Sequence, residues 1–128
     1  MSRIPAELKY ARSHEWLKHL PDGTVEIGIS DHAQETLGDL VFVGLPELGR
    51  HLVAGEACAV VESVKAVSDI LAPIAGTVVA VNTALAHTPD LINRDPYSGG
   101  WMMRLKPAAL QADAALLSAR DYATVASG

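Results

Sequence analysis

The sequence is poor in cysteine and has no excess of positive charge. Its 128 residues include a single cysteine, Cys58, which excludes an internal disulfide and a zinc site built from several thiolates. Fifteen acidic residues outnumber ten lysines and arginines, and the net charge of -5 argues against a nucleic-acid-binding protein. No run of about 18 apolar residues occurs, so we expect no helix that crosses a membrane.

The N-terminal residues also lack the apolar stretch of a signal peptide and the Arg/Ser bias of a transit peptide. We therefore expect a protein of a reducing compartment, in the simplest case the bacterial cytoplasm; an organelle protein supplied without its leader stays open. The chain is 49% hydrophobic and 20% charged, and no linker or charge run divides it. These features predict one domain over residues 1–128, with a core over about 8–106 and a C-terminal helical extension over 107–128.

Short β-branched runs recur along the chain and are separated by clusters of Gly, Pro, Asn or Asp. This spacing predicts a mainly β chain folded as a compact sandwich or barrel. The predicted strands are Val25–Ile29, Leu40–Gly44, Ala57–Val61, Ala66–Leu71, Thr77–Val81 and Trp101–Leu105.

One short helix interrupts this β pattern between the first two strands. Ser30 or Asp31 is a suitable N-cap, and the apolar pair Ala33 and Leu37 has helical spacing. Gly38 then provides the stop signal. We expect this helix to pack on the β core.

Two further short helices are predicted at the C-terminal end. Pro107 suits the first turn of one helix, whose apolar face would carry Leu110, Ala114 and Leu117. The second begins at Ser118, where Asp121 three residues later suits a capping arrangement.

The segment over residues 55–76, GEACAVVESVKAVSDILAPIAG, carries the chemistry. Two apolar strands meet around Lys65, which predicts a hairpin that presents this lysine at its tip. Lys65 is the only lysine of the central β region, and Glu62 and Asp69 bracket it. A lysine amine on a stiff scaffold suits a covalently tethered cofactor. The alternative is a lysine that serves solubility alone.

Five segments of the sequence resemble one family, the glycine cleavage system H proteins. They are KYARSHEW (9–16), GISDHAQETLGDLVFVGLPELG (28–49), ESVKAVSD (62–69), APIAGTVVAVN (72–82) and LINRDPYSGGWM (91–102). The resemblance implies a lipoyl/biotinyl-type barrel-sandwich hybrid with one short internal helix and short C-terminal helices. It places the lipoyl attachment at Lys65 and implies that the attachment enzyme recognises Glu62 and Gly76. We expect Gly76 to matter through a positive φ, which glycine adopts without strain.

The same resemblance implies a carrier and not an enzyme. Lipoate on Lys65 would take the aminomethyl group of glycine from the decarboxylating glycine dehydrogenase to an aminomethyltransferase. A dihydrolipoyl dehydrogenase would reoxidise the arm, and a lipoyl or octanoyl transferase or a lipoate ligase would attach it. In this family the loaded arm folds into a surface cleft, for which Ser13, Glu15 and Asp69 are the candidate residues. Thr36 stands where some members have a histidine, so a hydroxyl would replace an imidazole there.

Four other functions are alternatives to this carrier role. A relay protein that passes lipoyl or octanoyl groups to other complexes stays open, whereas a biotinyl carrier is less consistent because Val64 and Ala66 replace the methionines that flank a biotinylated lysine. No nucleophile elbow or phosphate-binding glycine loop supports a small hydrolase, and the five histidines have no metal-ligand spacing. A purely structural interaction module predicts that Lys65→Arg retains function.

Overall fold

Strands carry most of the regular structure of the computed structural model, which describes residues 3–109 and 112–127. The β-branched runs form extended segments, and Gly, Pro and Asn separate them. In chain order the strands are Lys9–Tyr10 (β1), Glu15–His19 (β2), Val25–Ile29 (β3), Leu40–Gly44 (β4), His51–Leu52 (β5), Ala57–Ser63 (β6), Val67–Leu71 (β7), Gly76–Val81 (β8) and Met103–Pro107 (β9).

The strands form two antiparallel sheets. The larger sheet has the order β1-β2-β3-β9-β8-β5, and the smaller has the order β4-β6-β7. The fold is thus mainly β, as predicted. The small sheet consists of the β6–β7 hairpin with β4 at its edge, and this hairpin carries the segment over residues 62–69.

The helices are short. They are α1 (Asp31–Leu37), α2 (Leu91–Arg94) and α3 (Ala119–Ser127), together with a 3-10 helix at Thr83–Ala86. The ends of α1 follow the sequence signals: the Ser30 hydroxyl accepts a hydrogen bond from the Ala33 N–H at 3.2 Å, and Gly38 ends the helix with a φ of 84°. The predicted internal helix is therefore confirmed with both of its caps.

The prediction of a helix that begins at Pro107 is wrong. Pro107 is the last residue of β9 and pairs with Gly76, and the next N–H, that of Ala108, donates to the Ala75 carbonyl at 3.0 Å. Sheet pairing thus overrides the helix preference of the alanines that follow. Turns cover Ala112 to Ala115, so Ala114 is not helical; Leu117 forms a β-bridge with Tyr10, and Leu110 lies outside the described residues.

The second C-terminal helix is confirmed as α3. The Ser118 hydroxyl accepts a hydrogen bond from the Asp121 N–H at 3.2 Å, which is the predicted capping contact. Tyr122 anchors this helix: it is fully buried, and its ring stacks on that of Tyr10 with centroids 4.6 Å apart. The C-terminal segment is thereby fastened to β1.

The core lies between the two sheets. Its largest fully buried side chains are Leu17, Ile27, Ile29, Ile74, Leu85, Ile92, Met102, Met103 and Leu105. A second, smaller cluster of Leu8, Tyr10, Trp16, Tyr97 and Tyr122 joins both chain ends to β2. None of the helices within residues 3–109 and 112–127 is long and apolar enough to cross a membrane.

Candidate functional site

Lys65 lies in the tight turn that joins β6 to β7. The turn is closed by the Ser63 N–H, which donates to the Ala66 carbonyl at 2.8 Å, and by the Ala66 N–H, which donates to the Ser63 hydroxyl at 3.1 Å. Residues 64 and 65 are exposed, whereas Ser63 is buried at the foot of the turn. The structure thus places Lys65 at the tip of a hairpin.

The side chain of Lys65 extends from the turn towards the end of α1. A Cβ atom placed on Gly38 would lie 3.5 Å from Cε of Lys65, an ordinary van der Waals distance. Lys65 makes no hydrogen bond or ion pair within residues 3–109 and 112–127. Its amine is therefore accessible for chemistry.

Glu62 accompanies the lysine at the tip. It lies on β6, half-buried, opposite Phe42 of β4 on one side and Val67 of β7 on the other. Asp69 lies farther down β7 and pairs with Val60. The hairpin therefore holds Glu62 and Asp69 on strands on either side of the turn.

Gly76 does not lie at the tip. β7 runs away from the turn for five residues, about 17 Å at a rise of about 3.3–3.4 Å per residue, and Gly76 begins β8 in the other sheet.

The expectation that Gly76 has a positive φ is wrong. The described glycines with positive φ are Gly23, Gly38, Gly49 and Gly55. Gly76 is needed for a different reason: a Cβ atom there would lie 2.6 Å from the backbone oxygen of Lys106 on β9.

A cavity of about 170 Å³ lies beside α1, near the base of the hairpin. We call it the α1 cavity; it is lined by Ser13, His14, Ile29, His32, Ala33, Thr36, Leu37, Ser68, Asp69 and Ile70. Of the three residues expected to line an arm cleft, the structure brings Ser13 and Asp69 to this cavity. The Thr36 hydroxyl also lines it and donates a hydrogen bond to the His32 carbonyl within α1 at 3.0 Å.

Glu15 lies beneath the α1 cavity and not in its lining. It is 1% exposed, accepts a hydrogen bond from the Ser13 hydroxyl, and accepts another from the Leu71 N–H at 3.1 Å. Burial raises the pKa of Glu15, and the bonds from Ser13 and Leu71 oppose this shift. Because the Ser13 proton points to Glu15, the Ser13 oxygen can still accept a hydrogen bond from a group in the cavity.

Two histidines in the cavity wall were not identified as a pair from the sequence. The rings of His14 and His32 have centroids 5.0 Å apart, and Nδ1 of His14 lies 2.6 Å from the Tyr122 hydroxyl. Burial, and then the nearby His32, lower the pKa of His14. His14 has a φ of 79°, which is unusual for a residue with a side chain. Neither the unusual backbone nor a contact across 18 residues has a local sequence signal.

No group of three or more His, Cys, Asp or Glu side chains within residues 3–109 and 112–127 has the geometry of a metal site. Cys58 is buried in the core, and its burial raises the pKa of the thiol to about 11. It is therefore protonated and unreactive at neutral pH.

Comparisons with known proteins find the same family over nearly the whole chain. A family model described as "Glycine cleavage H-protein" matches residues 8–127. A "Glycine cleavage system H protein" from Escherichia coli O139:H28 is 54% identical over 125 residues, which are 98% of this chain and 97% of the relative. A relative of the same description from Enterobacter sp. (strain 638) has the same identity and coverage. The crystal structure of a glycine cleavage system H protein from Mycobacterium marinum matches with a TM-score of 0.87 and 46% identity, over 94% of this chain and 97% of that chain.

Proposed function

The chain belongs to the glycine cleavage H-protein family, and we propose that Lys65 is the residue that carries its lipoyl group. The protein is a lipoyl carrier of the glycine cleavage system, because its relatives are H proteins over nearly their full length. Its fold is the barrel-sandwich hybrid of lipoyl domains. A relay of lipoyl groups and a biotinyl carrier are not favoured, since the relatives named above are described as glycine cleavage system H proteins.

The observation that supports Lys65 is its place at the tip of a hairpin. The turn is closed by bonds within Ser63–Ala66, and the lysine side chain makes no competing polar contact among the described residues. A tether attached there starts from a fixed point and extends into solvent. A fixed origin raises the effective concentration of the group at the end of the tether in a partner's active site.

A lipoyl group held by Lys65 would supply the chemistry, namely a disulfide that can be opened by reduction and a sulfur that can then carry the aminomethyl group. The family name implies glycine dehydrogenase and aminomethyltransferase as partners of this carrier. We further propose dihydrolipoyl dehydrogenase and a lipoyl or octanoyl transferase or lipoate ligase. The chain itself would provide no catalytic group, and we infer that residues 1–128 form one domain.

We also propose that the α1 cavity receives the loaded arm. Ser13 and Asp69 both line it, and both offer oxygen atoms that accept hydrogen bonds from an ammonium group. Glu15 would act from beneath by fixing the Ser13 hydroxyl, whose proton it accepts. The Thr36 hydroxyl, whose proton is used within α1, leaves only an acceptor for the arm.

The test is acylation of the apo-protein by lipoate ligase with ATP and lipoate, followed by intact mass spectrometry. We expect the wild type and Lys18→Arg to gain the mass of one lipoyl group, and Lys65→Arg to gain none while its circular dichroism is unchanged. An amide cannot form on a guanidinium under this enzymology. Acylated Lys65→Arg, or wild-type protein from its host that carries an octanoyl or biotinyl mass instead, would contradict the proposal.

A further inference from the structure

Four exposed apolar side chains surround the hairpin tip. Val64 is 87% exposed, Val67 67%, Val41 57% and Phe42 49%. We call Val41, Phe42, Val64 and Val67 the tip patch. The strand register brings them together, because Phe42 and Val67 lie on either side of Glu62 in one row across β4, β6 and β7.

The edge strand β4 is shaped so that it contributes to this patch. A β-bulge separates the pairs Leu40 with Ser63 and Phe42 with Glu62, and Val41 is the extra residue. As a result Val41 and Phe42 both face solvent, while Leu40 and Val43 on either side are buried. Exposed apolar side chains that gather at one place on a small domain are typical of an interaction surface.

We propose that the tip patch is the docking surface for the enzyme that acylates Lys65, an inference that rests on the lipoyl attachment proposed above. In that step the neutral amine of Lys65 attacks the carbonyl carbon of an activated lipoyl or octanoyl group. The amide C–N bond forms, the activating group leaves with the bonding electrons, and the ammonium proton passes to a base of the enzyme. The enzyme's active site must therefore approach Nζ to bonding distance.

This requirement separates the acylating enzyme from the other partners. Enzymes that act on the dithiolane meet it at the far end of a long arm, so they need not touch the residues beside Lys65. An enzyme that acts on Nζ itself must cover the side chains next to it, and those are the valines of the turn and of β7. The tip patch is continuous with the atom that this enzyme modifies.

The charges near the tip indicate the chemistry of the partner's surface. Asp39 precedes β4, and Glu62 and Asp69 lie on the hairpin; within residues 3–109 and 112–127 none of the three carboxylates has a cationic partner. Lys65 is the cation of the tip, and acylation removes its charge. The complementary surface is therefore an apolar depression around the active-site entrance with basic groups at its rim.

The test is the rate of lipoylation of the apo-protein by purified lipoate ligase with ATP and lipoate. In the variant Val64→Thr/Val67→Thr the shape is kept while a hydroxyl replaces one methyl group of each valine, so we expect kcat/KM to fall about 10-fold. Phe42→Ala should lower it by a similar factor of about 10. The matched control is Val53→Thr/Val79→Thr, since Val53 and Val79 are 65% and 45% exposed and lie outside the hairpin; we expect a change of less than about twofold.

A second measurement tests whether the patch serves another enzyme instead. Each variant is lipoylated to completion with excess ligase and assayed with glycine dehydrogenase, where we expect a rate within about twofold of the wild type. Wild-type lipoylation kinetics in the tip variants, equal losses in the control, or a loss confined to the dehydrogenase assay would overturn the inference. A wild type that is not acylated at Lys65 would overturn the attachment site itself.

Discussion

Gly76→Ala tests whether this glycine is needed by the fold or by the attachment enzyme. The resemblance implies that the attachment enzyme recognises Gly76, but this residue begins β8 in the larger sheet, beyond the five residues of β7 that lead away from the hairpin tip. A methyl group there would lie 2.6 Å from the Lys106 oxygen and 3.2 Å from its carbonyl carbon. Both atoms belong to the backbone of β9, so no side-chain rotation can relieve the contact.

The size of the effect follows from this geometry. Cβ contacts shorter than 3.0 Å essentially never occur, so the Lys106 carbonyl must move by at least 0.4 Å, the difference between 3.0 and 2.6 Å. That movement strains the pairing of Gly76 with Pro107 and of Thr77 with Lys106. Overpacking of this kind costs about 1–3 kcal/mol, and we expect the upper half of that range because the obstacle is backbone.

The assay is urea unfolding, with lipoylation rates measured on the fraction that is folded. We expect a lower urea midpoint at an unchanged slope, and a lipoylation rate per folded molecule within about twofold of the wild type. Gly99→Ala is the control, because the nearest atom to its Cβ would be a carboxylate oxygen of Asp95 at 3.3 Å, which is a longer contact and belongs to a side chain. An unchanged midpoint would refute the argument from close contact, and a 10-fold slower lipoylation of folded Gly76→Ala would show direct recognition.

Two further predictions concern pH. Burial lowers the pKa of His14 in the folded protein, so the stability that His14 contributes is present above its unfolded-state pKa and is lost as pH falls through its folded-state pKa. We therefore expect the stability of His14→Asn to depend less on pH between about pH 7 and 5; asparagine tolerates the positive φ at this position. The control His87→Asn should have the same pH dependence as the wild type. Burial raises the pKa of Glu15, so the stability that Glu15 contributes is present at low pH and is lost as pH rises through its folded-state pKa. Glu15→Gln should therefore gain stability relative to the wild type as pH rises from about 4 to 7. The control, Glu47→Gln at an exposed position, should not. Both are measured by urea midpoints at several pH values, and parallel curves for variant and wild type would contradict them.

The elements with strong local signals were predictable. The hairpin strands are β-branched and flank a short turn that carries Lys65, and α1 has a hydroxyl at its N-cap and a glycine at its end. β2 was missed because its first residues, Glu15, Trp16 and Leu17, are all buried, which removes the alternation that identifies a strand. β1 and β5 are two residues each, too short for any period.

In the candidate site, too, the positions with local sequence signals were predictable and those fixed by tertiary contacts were not. The position of Lys65 at a hairpin tip follows from the two flanking strands, and the place of Ser13 and Asp69 beside one cavity agrees with what the resemblance implies. The position of Glu15 beneath the α1 cavity does not follow from the sequence, because it depends on the Leu71 N–H of a strand 56 residues away. The close approach of β9 to Gly76 likewise depends on tertiary pairing that no local pattern contains.

The C-terminal helix also takes part in building the site. The Tyr122 hydroxyl lies 2.6 Å from the Ser30 hydroxyl, which caps α1, and 2.6 Å from Nδ1 of His14. Tyr122 has one proton to donate. If His14 donated to Tyr122, Tyr122 would donate to Ser30, and the Ser30 proton would have no acceptor among the contacts of the described residues.

The opposite direction satisfies both hydroxyl groups and Nδ1 of His14. Ser30 donates to Tyr122, Tyr122 donates to Nδ1 of His14, and the neutral ring then has its own proton on Nε2. The lowered pKa of His14 agrees with this neutral form. The buried hydroxyl of Tyr122 therefore couples three features: the N-cap of α1, the protonation state of His14 and the docking of α3. A substitution in the C-terminal helix thus alters the α1 cavity without a contact to the hairpin.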